Sequence, residues 1–211
     1  MGRGSSGAGG NLGKGRDNVN PANIHNERDL VSERERKRAE VDAVLTVARD
    51  ISDEYGVEVG QFVLADIGGK DASTMAYSDG TNIGFNGKYF DGANMDRAYD
   101  ACVDSGFHPG RGNKSAMEAV AAHEYGHVLT QKAGEKLGKP DMDAAAKIIV
   151  DTARKTTKHP GSISMAAKIS GYAGHSNAEC VAEAIADVYC NGKKATAESK
   201  AIVKVVNDIL K

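Results

Sequence analysis

The chain of 211 residues contains no apolar run approaching the roughly 18 residues of a membrane span, which argues against a helical integral membrane protein. It has no excess of one charge. With 27 Lys and Arg against 29 Asp and Glu, the balance gives no reason to expect nucleic acid as a partner. The first ten residues, Met-Gly-Arg-Gly-Ser-Ser-Gly-Ala-Gly-Gly, lack the apolar segment of a Sec signal peptide, so a cytoplasmic setting is expected. Only three cysteines occur, Cys102, Cys180 and Cys190, with no C-x-x-C pair. That excludes a disulfide framework and fits buried thiols in a reducing compartment. No repeat recurs at any period, which excludes a solenoid.

What is present is ordinary globular material, 40% hydrophobic and 27% charged, over a length suited to one domain with an added arm. Residues 1–26 are mostly Gly, Asn, Ser and Arg and have almost nothing to bury. They are expected to form a flexible Gly-rich tail, or an arm ordered by a protein partner. From Glu27 to Tyr55, apolar residues such as Leu30, Val41, Val44, Val47 and Ile51 punctuate a charged run that Gly56 ends. This predicts one long charged helix over 27–56. The remainder, 57–211, reads as an α+β domain. A strand is expected within Val57–Ile67, and a hairpin of Thr74–Ser78 and Thr81–Phe90 around Asp79-Gly80. Helices follow at 92–105, from the capping box Ser115-x-x-Glu118 to about Ala133 before Gly134, from Pro140 to Thr157, over Asn177–Cys190 and over Thr196–Leu210.

Two patterns carry chemistry. In His123-Glu124-Tyr125-Gly126-His127 the i, i+4 spacing puts both imidazoles on one helix face, one turn apart, where they can share a tetrahedral metal. Glu124 stands beside that metal without being needed as a ligand. With six His and twelve Glu in the chain, H-E-x-x-H arises by chance in about one such chain in a hundred, so a second pattern is needed. Glu179, Glu183 and Asp187, at i, i+4 and i+8, supply one. They share a face of a helix otherwise made of Ala, Val and Ile. The plain alternative is that these acids mark a solvated face.

H-E-Y-G-H at 123–127, followed by Tyr172-x6-Glu179-x2-Ala182-Glu183-Ala184, resembles the gluzincin metallopeptidases, most closely the catalytic domain of anthrax lethal factor. A similar ending is found in peptidase-like domains at the ends of some phage minor head proteins, which adds a virion-associated setting to the expectation. The resemblance implies a zincin-like fold, with a small mixed sheet packed on the H-E-x-x-H helix and on a C-terminal Glu-bearing helix. It implies Zn2+ bound by His123, His127 and Glu179, with Glu124 as general base and Tyr172 facing the oxyanion. Glu183 takes the place of a carboxylate that hydrogen-bonds a zinc-bound histidine.

The activity so implied is zinc-dependent endopeptidase chemistry on a protein or peptide substrate. In it, metal-activated water attacks a carbonyl and Glu124 carries the proton to the leaving amine. The strand Thr81–Phe90 is expected at the sheet edge beside the site, with Gly84 and Gly87 leaving room for a substrate backbone. His175 sits in a loop position open to oxyanion binding or alternative metal ligation, although loop histidines are usually exposed. Two other readings stand beside this one: an ImmA/IrrE-like peptidase that cleaves regulators, and a phage-type virion or structural protein that keeps a zincin fold without turnover.

Overall fold

The computed structural model describes residues 19–139 and 141–211. Among them are four strands and seven α-helices: β1 (Ile24–Asp29), α1 (Arg38–Tyr55), β2 (Phe62–Ile67), β3 (Ala76–Ser78), β4 (Ile83–Asn86), α2 (Gly92–Asp104), α3 (Ala116–Lys136), α4 (Met142–Thr156), α5 (Ser162–Ala166), α6 (Asn177–Asn191) and α7 (Ala197–Leu210). The fold is mixed α+β with a small sheet, as the pattern of strands and helices predicts. Among the described residues, no helix is long and apolar enough to cross a membrane.

The N-terminal third departs from expectation. Residues 1–18 of the Gly-rich tail lie outside the described residues. Val19 is buried, Asn20 caps a short 3-10 turn over Pro21–Asn23, and β1 begins at Ile24. The helix expected over 27–56 starts only at Arg38, because the preceding residues satisfy their backbone groups otherwise. β1 pairs antiparallel with β2, and a 3-10 turn follows over Leu30–Glu33. Apolar residues recur at helical spacing only from Val41. From there Val41, Val44, Val47 and Ile51 enter the main core against α3, and Gly56, at φ 66°, ends the helix in the left-handed region. α1 is therefore a wall of the core rather than a projecting arm.

The sheet runs β1-β2-β4-β3, with β2 and β4 parallel and the outer pairs antiparallel. The hairpin around Asp79-Gly80 forms as expected, but β4 is interior and β3 is the edge. Gly84 leaves no room for a substrate, since a Cβ there would lie 2.1 Å from the Tyr77 ring of the cross-strand partner. The sheet presents Leu64, Ile83 and Phe85 to the helices, and Ala65, Ile67 and Tyr77 to a small cluster with Val19 on its other face.

α3 is the central helix, buried along most of its length, and Ser115 and Glu118 close the expected capping box at its start. It runs through Gly134 to Lys136, and Gly138, at φ 64°, takes the left-handed position after it. Gly134 has a different purpose: a Cβ there would meet the Lys139 carbonyl oxygen at 2.4 Å as the chain folds back. α4 opens at Met142 with Asp141 as its cap; Pro140, expected to open it, lies outside the described residues.

α3 packs most extensively on α6. The contact needs Gly126, because a Cβ there would stand 2.7 Å from the Ala182 Cα and 3.3 Å from its Cβ. Ala is otherwise favoured over Gly in a helix interior by about 1 kcal/mol. Against rigid backbone, overpacking outweighs that gain, so Gly126→Ala is expected to destabilise the protein by about 1–3 kcal/mol in urea unfolding. A stabilised variant would show that the two helices can separate freely.

Candidate metal centre

α3 carries His123, Glu124 and His127 into the interior, where all three are buried. The helical spacing sets the imidazole rings 5.1 Å apart, centroid to centroid. α6 supplies the opposite side. Ser176 caps its N-terminus by accepting the Glu179 N–H at 3.1 Å, which fixes where the first turn begins. Glu179 Oε2 then stands 3.2 Å from His123 Nε2 and 3.5 Å from His127 Nε2. Donors placed about 2.0–2.1 Å from a tetrahedral ion are about 3.3 Å apart, so the separations suit a common ion. His123, His127 and Glu179 form a buried group able to hold a metal ion.

Burial works against charge on all of these groups, yet their mutual attraction prevails. Burial pushes the Glu179 carboxyl up, but the charge of His127 and hydrogen bonding with His123 and His127 bring it well below the usual carboxylate range. Burial likewise disfavours the His123 imidazolium, and hydrogen bonds with Glu179 and Glu183 raise that imidazole well above the ordinary histidine value.

Glu183, one turn beyond Glu179, lies behind His123. Its Oε1 is 2.8 Å from His123 Nδ1 and 3.0 Å from His108 Nδ1, and its Oε2 accepts from Ser170 Oγ at 2.6 Å. Burial raises this carboxyl, but the His108 charge and hydrogen bonds with His108 and His123 outweigh it and hold the group at about 2. An ionised Glu183 can only accept, so Nδ1 of His123 carries a hydrogen and Nε2 is the nitrogen that would give up its proton to a metal. The third acid, Asp187, is buried for a different reason: it accepts from the Thr196 N–H and hydroxyl at 3.0 and 3.1 Å and so anchors the start of α7. None of the three marks a solvated face.

Tyr172 is brought in by two backbone hydrogen bonds, Gly171 N to Gly106 O and Tyr172 N to Phe107 O, both 2.9 Å. Its ring stacks on His123 at 5.7 Å, and its hydroxyl donates to Glu179 Oε1 at 3.0 Å. Burial first, then the Glu179 charge, keeps this phenol protonated far above its ordinary range. Glu124 borders a cleft next to His123, whereas His175 stays exposed, its ring against Tyr172 and Phe107 and outside the metal-binding group.

Sequence reasoning missed His108 and Ser170, which meet Glu183 across 75 and 13 residues. Neither sits at a telling spacing; only the pairing of the 106–107 and 171–172 loops brings them together. It also missed Asp143 on α4, whose carboxyl is raised by burial, by Asp141 and by Glu179. No family profile, curated protein or solved structure matches the chain.

Because a metal needs deprotonated imidazoles and His123 holds its proton unusually firmly, protons compete with metal into the neutral range. Metal affinity, measured by chelator competition, is expected to be weaker at pH 6 than at pH 8, with protons released on binding. Replacing the buried anion by Glu183→Gln leaves His123 poorly oriented and should weaken binding about 10- to 100-fold. Unchanged affinity in that variant would contradict the role given to Glu183.

Proposed function

We propose that the chain is a metal-dependent hydrolase of peptide bonds, with zinc as the metal and a zincin-like fold as its frame. The observation that carries this reading is the convergence of His123, His127 and Glu179 on one point, with Glu124 buried on the same helix at the edge of a cleft. Two imidazole nitrogens and one carboxylate oxygen suit zinc and leave a coordination position open, the arrangement of catalytic rather than structural zinc sites. The β3 edge supports it further, since Thr74, Met75 and Ala76 border the same cleft and an extended peptide can lie along such an edge.

His123, His127 and Glu179 would hold the zinc, which would supply a Lewis acid able to lower the pKa of a water toward about 7 and to polarise a peptide carbonyl. The chain's own groups do the rest. Glu124 takes the proton of the attacking water and passes it to the leaving amine. Tyr172 turns its hydroxyl from Glu179 Oε1 to the oxyanion that develops on the substrate, an exchange of one hydrogen bond for another. Glu183 holds the His123 ring still throughout. The ImmA/IrrE-like and virion-protein readings use the same metal-binding residues and gain no separate support from the geometry.

Glu124→Gln keeps shape but cannot carry the proton. The variant is expected to retain zinc and fold while losing at least about a hundredfold in kcat on any peptide that the wild type cleaves. Tyr172→Phe should lower kcat by roughly a hundred- to thousandfold with KM nearly unchanged, since its donation matters only in the transition state. Equal turnover by Glu124→Gln would reject the assignment of the base; a drop below about threefold in Tyr172→Phe would reject that of the oxyanion donor.

A further inference from the structure

Beside His123 lies a cavity of about 40 Å³ whose walls are Met75 and Ala76 of the sheet edge, Val120 of α3 and the Tyr99 ring of α2. It is the inner part of the cleft already described, and His123, Glu124, Tyr172 and Glu183 form its remaining walls. Two polar side chains of no assigned role reach it. Thr74 is 5% exposed, and its Oγ1 is buried without a hydrogen bond. A buried hydroxyl without a partner costs free energy and calls for a ligand or water.

The second is His108. Its ring is clamped flat against Tyr99, with centroids 5.3 Å apart and 4° between planes, and edge-on to Tyr172 at 5.3 Å. Its Nδ1 is committed to Glu183 at 3.0 Å. Nε2 lies across the ring from Nδ1, so it points away from Glu183 and is left for whatever enters. The Tyr99 hydroxyl is itself occupied, donating to the Pro109 carbonyl oxygen at 3.1 Å, which secures the loop that carries His108.

We infer that this cavity is the pocket for a substrate side chain adjoining the cleaved bond, and that it selects a short, uncharged residue with a hydrogen-bonding end: Asn, Ser or Thr. The inference rests on the peptide-hydrolase reading. At roughly 10–15 Å³ per water-sized group the cavity holds about three such groups, enough for a carboxamide or a hydroxyl and too few for Phe, Lys or Arg, while Leu, with as many side-chain heavy atoms as Asn, is rejected by its lack of polar atoms rather than by size. The acids Glu124 and Glu183 also border it, which disfavours Asp and Glu. A carboxamide both donates and accepts, so it can meet the Thr74 hydroxyl and the His108 nitrogen together; a hydroxyl can do the same. An aliphatic side chain of similar size would leave both protein groups unsatisfied, and discrimination by that route is strong.

Binding and cleavage test this separately. Calorimetry on zinc-loaded Glu124→Gln protein, with capped tetrapeptide amides varied at the two central residues, should find Asn, Ser or Thr peptides about tenfold tighter than Leu, Phe or Lys peptides. Thr74→Val keeps the side-chain shape and should abolish that preference, and Thr74→Ser should keep it. Zinc content and circular dichroism should be unchanged in both. A preference for Leu or Phe, or an undiminished Asn preference in Thr74→Val, overturns the pocket. Zinc-dependent cleavage by wild type only at large residues would leave the hydrolase standing and overturn the pocket. Selective binding without any cleavage by wild type would overturn the hydrolase and the placement beside a cleaved bond while leaving the side-chain selectivity of the pocket, and neither binding nor cleavage overturns both.

Discussion

The close approach of α3 and α6, made possible by Gly126 lying against Ala182, is the constraint on which the remaining geometry depends. His123 and His127 lie on α3, and Glu179 and Glu183 on α6, so the distance between the helices sets every separation within the site. A side chain at 126 would wedge the helices apart and draw the carboxylates back from the imidazoles. Glycine is a poor helix former, and its presence in the middle of a long buried helix makes sense only through this contact. The small residues along α3, Ala119, Ala121 and Ala122 among them, serve the same end by letting neighbours pack near its backbone.

Electrostatics completes what packing begins. Glu124, Glu179 and Glu183 place three carboxylates in one buried region, an arrangement whose repulsion and desolvation must be offset. Hydrogen bonds with the neighbouring imidazoles contribute to this offset, lowering Glu179 and Glu183 while raising His123. A divalent cation can take over that balancing charge while the histidines give up their protons. Glu183 matters beyond its charge. By meeting Nδ1 of both His123 and His108 it holds both imidazoles, so one carboxylate links a residue of the candidate metal-binding group to a residue that lines the cleft.

Much of this was legible in the chain because it is local. The capping box at Ser115, the turn at Asp79-Gly80 and the histidine pair depend on residues a few positions apart, and all appear where their spacing places them. The juxtaposition of Glu179 with His123 and His127 is not local, and the spacing did not reveal it; the resemblance to gluzincins supplied it. Longer-range effects escaped. Residues 24–26 look like the end of a tail, and 27–29 like the start of a charged helix, until β2 is there to pair with them. Gly134 looks like a helix stop until Lys139 folds back over it, and Gly84 looks like open space until Tyr77 fills it. His108 shows no pattern at all, because its partner lies 75 residues away on a helix that reaches it only through packing.

The central claim is that His123, His127 and Glu179 together hold one metal ion. X-ray absorption at the metal edge of zinc-reconstituted protein, with metal content measured on the same sample, tests it most directly. The account predicts one zinc per chain in a shell of nitrogen and oxygen donors, with the outer-shell scattering of two imidazoles, and loss of bound zinc in Glu179→Ala. A protein that takes up no zinc at micromolar concentration, a sulfur-containing shell, or an unaltered spectrum in Glu179→Ala would contradict it.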